Sequence, residues 1–366
     1  MDNAVLAIGT RKGLFVARAA ADRTRWEVGP IQFSTNPVSA LAIDADRRRL
    51  IAAVNNPFWG TAIVFSDDLG ETWSEPQRDA ADAPIAFPEE TGAALADVWQ
   101  LRVSPIDPDV VYAGVEPAAL FRSTDGGRTF TLVEGLWNHP HRPTWRPGGG
   151  GLCLHTIVPD PVDPDTITVA ISTGGVYRTT DGGTSWAARN EGIRADFLSA
   201  DDPTPEYGQC VHKVDLHPSA PERMFLQHHG GVYRSDDAAG SWSRIDDGLP
   251  ADFGFPIVVH PHRPDTVYVL PLTSDQVRMP AGLRYQVCRS DDAGATWRPL
   301  TAGLPTDPCH ASVLRDAMCV DGGDPAGVYF GTRDGAVYAS RDDGESWSEA
   351  VRHLPDVLCV RAAVLS

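Results

Sequence analysis

The 366-residue sequence has only two lysines, Lys12 and Lys213, and its 31 basic residues face 49 acidic ones, for a formal charge of −18. A field of that sign repels phosphate backbones and anionic lipid surfaces, which argues against nucleic-acid and membrane-surface roles. No apolar run approaches the ~20 residues that a membrane-spanning helix needs. No basic segment precedes Val5-Leu6-Ala7-Ile8, and that stretch is too short for a secretory signal, so it reads as a strand. The six cysteines (Cys153, Cys210, Cys288, Cys309, Cys319 and Cys359) contain no CxxC pair, and a chain of this length needs no disulfide staples. The expectation is a cytoplasmic protein with reduced thiols.

Glycine and proline are plentiful, 34 and 30 residues, and many stand at chain reversals, which favours many short strands over long helices. The dominant signal is an internal repeat. Ser66-Asp67-Asp68-Leu69-Gly70-Glu71-Thr72-Trp73 has the form Ser/Thr-x-Asp-x-Gly-x-Ser/Thr-aromatic, and the form returns at 123–130, 179–186, 290–297 and 340–347. A sixth copy at 235–242 carries Ala239 in place of the glycine, and a decayed seventh ends at Trp26. The closing aromatics fall at 26, 73, 130, 186, 242, 297 and 347, a period of about 50 residues. Ser/Thr and Asp side chains can close a turn on nearby backbone groups, glycine permits the positive φ such a turn needs, and the aromatic anchors the next strand.

Each copy sits between the third and fourth of four short alternating strands, called A to D here, which is the make-up of a propeller blade. Residues 4–9 read as a B strand and Gly13 to Arg18 as a C strand, so the first blade lacks its own A strand. The apolar segment Val357 to Leu365 is predicted to supply it and close the ring. One composite blade and six complete ones predict an all-β, seven-bladed propeller in a single domain over residues 1–366.

On these boxes the chain resembles the Asp-box (BNR-repeat) β-propeller superfamily along nearly its whole length, and more narrowly uncharacterised bacterial proteins labelled glycosyl hydrolase or exo-sialidase-like. That superfamily includes sialidases, xyloglucan-active glycosidases, sortilin-type receptors and photosystem-assembly propellers. The resemblance therefore implies the fold and leaves the function open. The Arg-Ile-Pro motif of sialidases is not present, and their six blades differ from the seven counted here. A two-carboxylate glycosidase remains compatible with the sequence. Turn chemistry accounts for the box aspartates Asp68, Asp125, Asp181, Asp237, Asp292 and Asp342, so they are read as structural.

In a propeller the D–A and B–C connections surround one mouth of the central channel, where function accumulates. The irregular segments Asp79 to Asp97, Gly135 to Gly151, Glu191 to Gly208, Gly303 to Ala311 and Pro271 to Tyr285 all belong to that face. Aligned repeats place Trp99, His155, His212, Phe255 and Asp316 at equivalent starts of A strands. Gly151-Leu152-Cys153-Leu154-His155 and Gly208-Gln209-Cys210-Val211-His212 are both Gly-x-Cys-x-His. Strand periodicity then predicts that Cys153, His155, Cys210 and His212 share one volume, a thiolate–imidazole set suited to zinc or copper, with His228-His229 approaching from above. A buried Cys is as readily a small apolar residue, and a strand His as readily a donor to a carbonyl.

Glu116, His155, His212 and Arg315 are the candidate catalytic residues, and Trp99, His229, Asp316 and Arg361 the candidate ligand contacts. Trp137 and Trp145 could extend a sugar-stacking wall. Lys213 follows His212 and is expected to point away from it. Gly148 to Gly151 lacks the Lys-Ser/Thr and the strand–helix setting of a phosphate loop. The leading expectation is a hydrolase- or lyase-type enzyme acting on a small polar, sugar-like or carboxylated ligand at the channel mouth, with or without a metal. The alternatives are a metal-free two-carboxylate glycosidase and a non-catalytic scaffold that binds a protein partner.

Overall fold

A computed structural model describes residues 4–58, 60–75, 83–196 and 201–365. Parts of two predicted mouth segments, 79–82 and 197–200, lie outside the described residues. Seven antiparallel sheets form the blades, and the innermost strands are Val357–Val364, Val38–Asp44, Asp97–Val103, Leu154–Pro159, Val211–His217, Gly254–Val259 and Met318–Val320. Each of these touches the next and the last touches the first, so the ring is closed. Among the described residues no helix is long and apolar enough to cross a membrane, and all six thiols are free.

Closure follows the expected route. Val357–Val364 pairs antiparallel with Ala4–Thr10, from Ala4 opposite Val364 to Thr10 opposite Val357, and becomes the inner strand of blade 1. Across the seam, Arg23 of blade 1 donates to both carboxylate oxygens of the buried Asp321 of blade 7 at 2.9 Å, and Tyr329 donates to the same carboxylate at 2.7 Å. Among the described residues blade 2 has three regular strands, and Ser74 pairs with Phe65 at the place of the fourth, its N–H donating to the Phe65 carbonyl at 2.8 Å.

The six boxes share one geometry. In blade 2 the Ser66 hydroxyl donates to Asp68 Oδ1 (2.6 Å) and accepts from Gly70 N–H (2.7 Å), while Asp68 accepts from the Thr72 N–H (2.8 Å) and hydroxyl (2.6 Å). The same four bonds recur around Asp125, Asp181, Asp237, Asp292 and Asp342. The glycine position has φ near 90° in five copies, and Ala239 takes φ 64° in the sixth. The closing aromatics also stitch blades together: the indole N–H of Trp242 donates to Arg189 O of the preceding blade at 2.9 Å, and that of Trp297 to Ile245 O at 2.7 Å.

Candidate functional site at the channel mouth

The inner strands carry an irregularity that places the site. In six of the seven blades the pairing of strand A with strand B slips near the mouth end of strand A, leaving a bulge residue there. The bulge falls at Leu358, Ser39, Trp99, His155 and His212, and at Phe255-Pro256 in blade 6. A bulge releases one side chain from the pleat and re-aims it. Five of the six positions, through Leu358, Ser39, Trp99, His212 and Phe255, line one mouth cavity of about 600 Å³, and Asp316 of blade 7 completes the circle. His155 is the exception, fully enclosed, with Nδ1 3.0 Å from the Thr156 hydroxyl and no partner for Nε2.

The floor of the cavity is a buried ionic cluster. Asp316 is paired with Lys213 and, at 3.2 Å, with Arg361, and Gln100 Nε2 donates to it at 3.3 Å. Burial pushes the Asp316 carboxyl up, but Lys213 and Arg361 outweigh it and hold the group well below the usual carboxylate range. Gln100, Lys213 and Arg361 line a second cavity of about 330 Å³ whose lining also includes Val258, Met318 and Cys319. The cluster thus lies between the two cavities, Asp316 lining the mouth and its partners the other side. Asp316 and Arg361, expected to contact ligand, are committed to each other. Lys213 does point away from His212, into this cluster.

Other expected residues divide in the same way. Arg315 lines the mouth, its Nε donating to the His212 carbonyl (3.2 Å) and its guanidinium lying 5.1 Å from the Trp99 ring and 5.8 Å from Phe255. Among the described residues no carboxylate lies within ion-pair distance of Arg315, nor of Arg278 from the stretched blade-6 loop. Glu116 stands behind the wall, accepting the Trp99 indole N–H at 3.1 Å, and so orients that ring. A Cβ at Gly151 would collide with the Glu116 carboxylate, and one at Gly150 would stand 3.2 Å from Trp99, which explains the glycine run as a close approach. Trp145 is buried with its N–H on Tyr177 (2.9 Å), and Trp137 packs against Phe87 and Arg142; neither reaches the cavity. None of the six box aspartates lines it either.

The expected four-residue metal set is not the one the fold assembles. The expected link between Cys210 and His212 holds, with Sγ 3.7 Å from Nε2, whereas His155 is enclosed against Thr156 and Cys153 takes no part. Cys153 is buried in blade 4, where burial pushes its thiol up to about 12. Instead Cys210, His212 and His229 come together, their potential ligand atoms all within 4.8 Å of one another. His228 turns into blade 5 against Tyr233. Burial, reinforced by Arg315, holds the imidazoles of both His155 and His212 well below their ordinary value, so both rings are neutral.

Three lining residues were not singled out from the sequence. Asp97 opens the blade-3 inner strand; its Oδ1 accepts from the Ser39 hydroxyl and the Val98 N–H, both at 2.8 Å. Burial pushes its carboxyl up. Asp275 and Arg278 come from the Pro271 to Tyr285 loop, and Asp275 lies 3.6 Å from His229 Nε2. The signal for all three was the length of their connections, which marks a segment without marking the residue.

No family model matches the chain. A xyloglucanase of Hypocrea jecorina is 26% identical over 331 residues, spanning 75% of this chain and 34% of that enzyme. The chain therefore spans about a third of the length of this curated relative. The crystal structure of the GH74 xyloglucanase from Xanthomonas campestris superposes with a TM-score of 0.67 at 20% identity, over 96% of this chain and 53% of that one. YCF48 bound to D1 peptide superposes with a TM-score of 0.51 at 16% identity, over 86% and 82% of the two chains. By fold the chain is a seven-bladed β-propeller of the kind found in GH74 xyloglucanases.

Proposed function

We propose that this propeller is a glycosidase-type hydrolase that takes an oligosaccharide into the mouth pocket. The observation that carries the reading is the lining itself: aromatic faces from Trp99, Phe253 and Phe255 combined with two carboxylates, Asp97 and Asp275, from different blades. Sugar rings stack on aromatic faces, and glycoside hydrolysis needs one carboxyl group that donates a proton and a second that activates water or attacks. Asp97 suits the acid, because burial favours its protonated form and outweighs the opposing hydrogen bonds from Ser39, Val98 and Asn55. Asp275 suits the base. Glu116 is a positioning residue that sets the plane of Trp99. The similarity to xyloglucanases supports the sugar class, and Arg315 and Arg278 favour a sugar that carries an anionic group.

The test is reducing-end release from a panel of neutral xyloglucan-derived and uronate-bearing oligosaccharides. Turnover that falls about 10²–10⁴-fold in Asp97→Asn, with the thermal midpoint preserved, is the expected result. Absence of turnover across the panel, or full activity in Asp97→Asn, overturns the proposal. Because the buried carboxyl is raised, the acidic form of Asp97 persists to higher pH than an ordinary aspartate would allow. The alkaline limb of the pH–rate profile should therefore be absent from Asp97→Asn.

A further inference from the structure

The residues that gather beside the pocket differ from the set expected from sequence, and they have the geometry of a metal site. We infer that Cys210, His212 and His229 bind one thiophilic transition-metal ion, with zinc as the matching probe, at the wall of the mouth cavity. The inference does not rest on the sugar reading.

Cys210 Sγ lies 3.7 Å from His212 Nε2. A tetrahedral zinc with sulfur at about 2.3 Å and nitrogen at about 2.0 Å sets those two atoms roughly 3.5 Å apart. The pair is therefore already at ligand spacing, and the remaining separations, none above 4.8 Å, close by side-chain rotation. His212 is also held in the required tautomer. Its Nδ1 is 2.6 Å from the Gly254 carbonyl, which can only accept, so Nδ1 carries the proton and Nε2 presents its lone pair toward Cys210. A carbonyl behind a ligating imidazole is the usual outer support of a metal histidine.

The third ligand is tied to the first through the backbone: the His229 N–H donates to the Cys210 carbonyl at 3.0 Å, linking the blade-5 turn to its inner strand. Phe253 and Phe255 pack edge-on and tilted against His212 at 5.3 and 4.9 Å, which gives the cluster an apolar shell. Asp275, 3.6 Å from His229 Nε2, adds a negative charge beside the second imidazole and offsets the nearby Arg315. One thiolate and two imidazoles suit zinc or copper rather than magnesium or calcium. Three protein ligands on the wall of an open pocket leave a coordination position to be filled from that pocket, the pattern of an exchangeable rather than a closed structural site.

The test uses reduced, metal-depleted, full-length protein titrated with zinc against a chromophoric chelator, and in parallel with cobalt. The expected result is one equivalent of zinc per chain and a thiolate-to-cobalt charge-transfer absorption. Cys210→Ser and His229→Ala should each weaken zinc at least tenfold, and Cys210→Ser should abolish the charge-transfer band. Cys153→Ser should leave both unchanged. Sub-stoichiometric zinc uptake by the wild type, or binding that survives both Cys210→Ser and His229→Ala, overturns the inference. If Cys210→Ser fails to fold by circular dichroism, the half-buried turn residue His229 carries the same decision. Loss of zinc binding alongside intact sugar turnover would sustain this site while separating it from the hydrolytic one.

Discussion

The two ends of each blade obey opposite rules. At the box turns, six blades place the same hydroxyl, carboxylate and N–H groups in the same four bonds, each closed within five residues of chain. At the mouth end, the seven inner strands carry Leu358, Ser39, Trp99, His155, His212, Phe255 and Asp316, no two of one kind apart from the two histidines. Repetition marks where each blade solves the same folding problem alone. Divergence marks where the blades jointly line one pocket.

The contrast can be broken most severely at the pocket floor. Lys213→Ala leaves the buried Asp316 with one cationic partner fewer, and removing one member of a buried pair costs about 3–5 kcal/mol. Chemical denaturation should report that loss, whereas a small shift in midpoint would show that Arg361 alone neutralises the carboxylate. At the box end, Asp125→Ala removes the acceptor for the Thr129 and Arg128 N–H groups and two hydroxyls, and should cost about 1–2 kcal/mol, as loss of a capping side chain does. The mutant should unfold at lower denaturant with activity retained on the folded fraction.

Titration sharpens the same point. Slight burial pushes Asp125 up, but bonds from Thr129 and Ser123 prevail and hold it at about 2, against an ordinary value of 3.8. A depressed carboxylate contributes stability above its unfolded value and loses it as pH falls through the folded one. Asp68 and Asp181 are likewise held at about 2, so acid unfolding should set in between roughly pH 4 and pH 2. Asp125→Ala should blunt that pH dependence.

Smaller effects test whether each end minds only its own business. Trp99→Ala should weaken oligosaccharide binding about tenfold, ~1.4 kcal/mol, and leave the box turns untouched; calorimetry on a ligand identified by the panel reads this directly. Ala239→Gly should shift stability by less than about 0.5 kcal/mol, because relief of a positive-φ alanine is offset by a lost buried methyl and a more flexible unfolded chain. A large gain there would mean the sixth box is strained by its alanine.

The same contrast explains what could be read from sequence. A box is local: Ser66, Asp68, Gly70 and Thr72 bond within one turn, so composition and spacing suffice, and the ring count and the closing strand followed from that. The mouth is not local. Each bulge re-aims a side chain of an inner strand without a residue that announces it, so the extrapolation from Cys210 to His212 held while that from Cys153 to His155 did not. Asp316 meets Lys213 across 103 residues of sequence and Arg361 across 45, and neither pairing has any signature in either segment. His229 was legible as a ligand contact approaching from a neighbouring turn and does line the mouth, whereas Asp97 was legible only as the end of a long connection.

The seam between Ala4–Thr10 and Val357–Val364 bears on how the chain comes to be folded. During synthesis the first hairpin emerges early and must wait for a strand made some 350 residues later, with one edge exposed throughout. Neighbouring blades can associate in turn as they appear, but the circle cannot lock until Val357–Val364 has emerged. Leu358 rides on that segment, so the pocket gains its last inner-strand wall in the same event. Ring assembly and site completion are therefore one step, and a nascent chain stalled short of it would present six finished blades and an unfinished binding surface.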